Sequence, residues 1–106
     1  MYARVWQLRI RPGKVDEFEN EMSSLVSMAR RQPGYYGVLA LRSGSADSPE
    51  VTLIAVWASL EAIRASEKNL FLMQAISRYL ACCEGVPNVI EKEVLASDFI
   101  ASAAAG

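Results

Sequence analysis

The sequence predicts a single α+β domain with its elements in the order β-α-β-β-α-β. Three observations predict it. Four stretches are rich in β-branched and aromatic residues at strand length. Two others repeat apolar residues at the spacing of one helix face. Pro, Gly or short polar runs punctuate the junctions. A chain of 106 residues fits one domain.

Residues 2–11 (YARVWQLRIR) read as the first strand, closed by Pro12-Gly13. Val15, Phe18, Met22, Leu25 and Ala29 follow at spacings of 3, 4, 3 and 4, which puts them on one helix face. Asp16, Glu17, Glu19 and Glu21 stand near the start of this helix and Arg30 and Arg31 at its end, an order that suits the helix dipole. Gln32-Pro33-Gly34 stops it. Tyr35 to Arg42 is the second strand, Gly44 to Pro49 a polar turn, and Val51 to Trp57 the third strand. Ser59 offers an N-cap to a helix over Ala58–Glu67, and Lys68-Asn69 marks a break. Leu72, Ile76, Tyr79, Leu80 and Cys83 carry the helical stripe on to Gly85, with Pro87 beyond. Val89 to Leu95 is the last strand. This is the ferredoxin-like plan, a four-stranded antiparallel sheet with two helices on one face. The domain spans 1–96, and 97–106 is a tail of small residues, expected to be loose or an arm on a neighbour.

Composition excludes several functions. The chain carries 11 Lys+Arg, 12 Asp+Glu and a net charge of −1, with no basic cluster to hold nucleic acid. It has no His, so a His general base, a Ser-His-Asp triad and His-ligated haem or zinc are all out. No Cys/His metal spacing and no Gly-rich phosphate loop is present. Cys82 and Cys83 are adjacent, an arrangement that strains a disulfide ring, and they read as small apolar residues at a helix end. Free thiols, no signal-like start and no apolar run of membrane length fit the cytoplasm.

Strands two and three raise a further expectation. A sheet covered by helices on one face alternates to polar on the other. Val38 to Leu41 and Val51 with Leu53 to Trp57 are apolar on both sides. A four-stranded sheet of this length would leave about 400 Å² or more of apolar surface, the upper end of what monomers expose. A second copy of the chain, in a symmetric homodimer, is the simplest cover.

The sequence resembles the antibiotic biosynthesis monooxygenase family of dimeric α+β barrels over about residues 1–96. Arg11-Pro12-Gly13-Lys14 with Glu17-Phe18 resembles its strand-to-helix junction, and Gln32-Pro33-Gly34-Tyr35 its helix-to-strand turn. Trp57-Ala58-Ser59-Leu60-Glu61-Ala62 resembles its Trp leading into the second helix. The resemblance implies a homodimer with facing sheets and a pocket in each subunit between helices and sheet. It implies cofactor-free oxidation of a phenol or quinol by molecular oxygen in some members and haem degradation in others. Haem-degrading members use an Asn, a Trp and a His at places matched here by Trp6, Ser66 and Ser77, none of which carries the needed residue. Haem degradation is therefore excluded. Ser66 also departs from the wider family, where His often stands.

Cofactor-free oxygenation needs aromatic walls, a cation near a phenolate and little water. Arg4 is the candidate catalytic cation, out of place among Tyr2, Trp6, Leu8 and Ile10; the structural alternative is a snorkelling or ion-paired charge. Asn69, at the helix break, is the second catalytic candidate, to orient substrate or oxygen. Trp6, Tyr36, Trp57, Glu67 and Met73 are candidate substrate-binding residues. Four have a structural alternative: Trp57 and Met73 as core filling, Tyr36 as one of a Tyr35-Tyr36 pair with one ring in and one out, Glu67 as a loop boundary. No cofactor or metal is expected. The contrasting reading is a non-catalytic dimeric binding or stress-related module, which the missing His favours.

Overall fold

In the computed structural model, residues 1–98 are described; the tail expected over 97–106 lies outside the described residues from 99 onward. The strand-like segments pair as β1 (Tyr2–Arg9), β2 (Tyr35–Gly44), β3 (Pro49–Trp57) and β4 (Asn88–Glu93). They form one four-stranded sheet in the order β2-β3-β1-β4, with every pair antiparallel. The helices are α1 (Val15–Ala29), α2 (Leu60–Ser66) and α3 (Leu70–Leu80). The expected second helix is thus two, split at the Lys68-Asn69 break. Both halves are capped by side chains: Ser59 Oγ accepts from the Ala62 amide at 3.1 Å and Asn69 Oδ1 from the Leu72 amide at 3.0 Å. No helix among the described residues is long and apolar enough to cross a membrane.

Register decides which residues share a face. Arg4, Trp6 and Leu8 of β1 lie opposite Ala55, Leu53 and Val51 of β3, and all six turn toward the helices. Leu8, Ile10, Phe18, Val51, Leu53, Tyr79, Cys82 and Cys83 close into the core. The end of α3 is stitched to the end of β1: Arg11 N donates to Cys82 O and Glu84 N to Arg9 O, each at 2.8 Å. The two cysteines fill space beside this junction. Burial, and then the neighbouring Cys82, pushes the Cys83 thiol up to about 11, so both atoms act as apolar filling.

Gly34 makes the turn between α1 and β2. Its φ is +82°, and a Cβ added there would sit 2.7 Å from the Ala62 Cβ of α2. Its carbonyl accepts from the Ala58 amide at 2.7 Å, which fixes the start of α2 against the turn.

The opposite sheet face carries Val5, Leu39, Leu41, Ile54, Val56 and Ile90 in neighbouring register positions. Leu39, Leu41 and Ile90 are 46%, 51% and 39% exposed in the single chain. Polar residues border this patch, among them Thr52, whose hydroxyl donates to Gln7 Oε1 at 2.9 Å, and the Arg9–Glu50 ion pair. The apolar second face expected from strands two and three is therefore present.

Candidate functional site

Between the helices and the sheet lies a cavity of about 80 Å³. It opens where small residues meet: Ala55 of β3, Ala29 of α1 and Ser66 of α2 leave space that larger side chains would fill. Its walls are otherwise aromatic and aliphatic, with Trp6, Tyr35, Trp57 and Tyr79 contributing rings and Met22 and Met73 adaptable thioethers. A wider cleft of about 270 Å³ lies between α1 and β2, lined by Val15, Met22 and Ala40 with Glu19 and Arg42. Among the described residues, no side-chain polar atom in that cleft is buried without a partner.

Arg4 enters the first cavity from β1. Its Cζ lies 5.1 Å from the Trp6 ring centroid, a cation–π contact. Its Nη1 donates to Glu67 Oε1 at 3.4 Å. Its Nε is buried and has no hydrogen-bond partner among the described residues. A buried guanidinium N–H left unpaired is costly, so this donor is an available anchor for an oxygen atom of a guest.

The Glu67 carboxylate is held a second time, by Arg64 Nη1 at 3.1 Å. Arg64 in turn grips Glu91 of β4 with two hydrogen bonds of 2.6 Å each. Those bonds hold the Glu91 carboxyl below the usual carboxylate range. Register brings the network together, because Glu91 pairs directly opposite Arg4 in the sheet. The break between α2 and α3 contributes Glu67 beside them.

The structure brings Arg4, Trp6, Trp57 and Met73 together around one cavity. Glu67 is not on its lining but holds Arg4. Tyr36 falls at the bulge of β2 and is 63% exposed, while Tyr35 turns inward, its ring 5.2 Å from Trp57. Asn69 is outside the lining, with its oxygen engaged in capping α3. Lining residues not singled out for binding include Tyr35, Ser66 and Met22. For Met22 the helical stripe could have served, since it faces Met22 and Leu25 to the same side; for Ser66 the family resemblance marked the position, whereas the Arg64–Glu91 pair leaves no signal without the register. Among the described residues no three His, Cys, Asp or Glu side chains gather as metal ligands.

The model of the antibiotic biosynthesis monooxygenase family matches residues 1–75. The chain belongs to that family. Comparison with curated proteins gives no match. Solved structures share the fold. SnoaB of Streptomyces nogalater, a cofactor-independent oxygenase solved in this case as a mutant, is 20% identical with a TM-score of 0.77, over 91% of this chain and 94% of its own. A Caulobacter crescentus protein provisionally assigned as an antibiotic biosynthesis monooxygenase is 19% identical, with a TM-score of 0.78 over 90% of each chain. A conserved protein of Methanosarcina mazei is 15% identical, with a TM-score of 0.74 over 87% of this chain and 91% of its own.

Proposed function

We propose that the protein is a homodimeric, cofactor-independent monooxygenase that holds one small phenol or quinol in each subunit. The observation that carries this reading is the unpartnered Nε of Arg4 in an otherwise apolar, aromatic-walled cavity. Family membership and the resemblance to SnoaB support the reaction class. The guest's ring lies among Trp6, Trp57 and Met73, and its oxygen accepts from Arg4. Glu67 fixes the guanidinium, and Asn69 keeps its amide NH2 for orienting substrate or oxygen. Tyr36 serves from outside the lining, on β2. In the reaction the bound phenolate supplies the electrons. A phenol C–H and the O–H are lost, one atom of O2 becomes a new carbonyl and the other leaves as water, giving a quinone. The cytoplasm, where thiols stay reduced, suits free Cys82 and Cys83.

The homodimer is supported by the apolar patch of Val5, Leu39, Leu41, Ile54 and Ile90 on the helix-free face. Two such faces packed together form the barrel.

One observation favours a non-catalytic binding module instead. The chain has no His, and Glu67 is claimed by two arginines, so among the described residues no free side chain at the cavity takes the phenol proton. Oxygen uptake with a panel of hydroquinones and anthrones, in chelator-treated buffer and with 18O2, separates the two. Turnover with one labelled atom in the product, reduced at least tenfold in Arg4→Ala, supports the oxygenase. Binding without turnover leaves the module, and Arg4→Ala that neither weakens binding nor slows turnover removes Arg4 from the site.

A further inference from the structure

Tyr79 of α3 is 1% exposed, and its ring is fixed on two sides. The Trp6 centroid lies 6.1 Å away, edge-on, and that of Phe18 lies 5.7 Å away. A phenylalanine would make the same ring contacts. The hydroxyl is what needs explaining. No hydrogen bond among the described residues involves it, yet the residue lines the cavity. The hydroxyl is not among the fully enclosed unpaired atoms, so it keeps some accessible surface, and a polar tip in such a place ordinarily finds a partner. Arg4 lines the same cavity, Trp6 stands beside both side chains, and the guanidinium charge acts on the Tyr79 phenol. Burial raises the Tyr79 pKa well above its ordinary value, which keeps the hydroxyl protonated and therefore a donor. The other hydroxyl on the wall, Ser66, already donates to the Ile63 carbonyl at 2.6 Å.

We propose that Tyr79 is a substrate-binding residue whose hydroxyl, with Arg4 Nε, forms a two-donor subsite selecting aromatic guests that carry an oxygen. The proposal rests on the reading of this cavity as an aromatic-binding site. Two donors on the lining of one cavity recognise a phenol, phenolate or ring ketone and leave an equally sized hydrocarbon with both donors unmet. Discrimination of this kind exceeds what an apolar pocket achieves by shape. At about 80 Å³ the cavity is smaller than the roughly 150 Å³ that takes a benzene ring, so a guest enters as the flexible Met22 and Met73 side chains give way.

The test uses 4-fluorophenol and 4-fluorotoluene, matched in size, with binding followed by 19F NMR. Wild-type protein is expected to prefer the phenol several-fold. Tyr79→Phe keeps the ring packing and is expected to cut phenol affinity about three- to tenfold, the range of one neutral hydrogen bond, without changing toluene affinity. Equal affinities in the wild type, or a Tyr79→Phe protein with an undiminished preference, overturn the role of Tyr79 and leave the cavity as an aromatic site. If neither probe binds the wild type, the cavity reading itself fails and takes this subsite with it. If Tyr79→Phe folds poorly, Arg4→Met decides: a remaining preference for the phenol supports Tyr79, and its complete loss overturns it.

Discussion

Gly34 is the residue whose replacement the turn between α1 and β2 cannot absorb. Its left-handed backbone costs any other L-residue about 1–2 kcal/mol. A methyl group would press on Ala62 at 2.7 Å, and overpacking adds about 1–3 kcal/mol. Gly34→Ala should therefore lose about 2–5 kcal/mol in urea unfolding. Ala62→Gly in the same chain should recover the crowding part and not the backbone part. Arg4 illustrates a different situation, a charge held half by its own fold. Glu67 takes one N–H and Trp6 takes the flat face, while Nε is enclosed without a partner among the described residues.

At the scale of elements, the break between α2 and α3 matters most. Asn69 caps α3, so Asn69→Ala should lose about 1 kcal/mol of stability. Asn69→Asp keeps the capping oxygen and removes the amide NH2. It should melt like the wild type, and a fall in its turnover then reads the lost NH2 together with the added charge. The Arg64–Glu91 pair joins α2 to β4 and carries a pH signature. Because the folded Glu91 carboxyl is held below its ordinary value of 4.5, the stability it contributes is present above that value. It is lost as pH falls through the lower, folded value, since the unfolded chain binds the proton first. Glu91→Gln should make the acid limb of a stability–pH curve shallower, as read by urea midpoints at a series of pH values. Much of this was legible beforehand. The 3-4-3-4 stripe marked α1, and Lys68-Asn69 marked the break, because local periodicity and capping chemistry are written in neighbouring residues. Tyr35 and Tyr36 showed that one ring goes in and one out, but a bulge decided which. Arg64 meeting Glu91 is a non-local contact, and only the pairing of β4 with β1 brings it about.

For the whole molecule, the central question is what covers the helix-free sheet face. Ile54 sits opposite Val5 on one side and Leu39 on the other, near the middle of the apolar patch. Ile54→Glu places a charge there while leaving the cavity untouched. Sedimentation equilibrium at micromolar concentration should give a dimer for the wild type and a monomer for the variant. A wild-type monomer would remove the barrel assembly from the proposed function. The fold itself was readable from element order and the family resemblance implied a pocket between helices and sheet, whereas the origin of its space was not readable. Its space arises because Ala29, Ala55 and Ser66, distant in sequence, come to face one another.

The four charges around Arg4 sum to zero, two guanidinium cations against two carboxylates. A neutral guest enters this electroneutral quartet without upsetting it, so its affinity should hardly respond to ionic strength. Ionising the guest adds one uncompensated negative charge, and no imidazole stands by to buffer the change. The pH–rate profile of any turnover should then trace the guest's own dissociation curve, moving when ring substituents shift the guest's acidity and staying still when protein carboxylates are replaced.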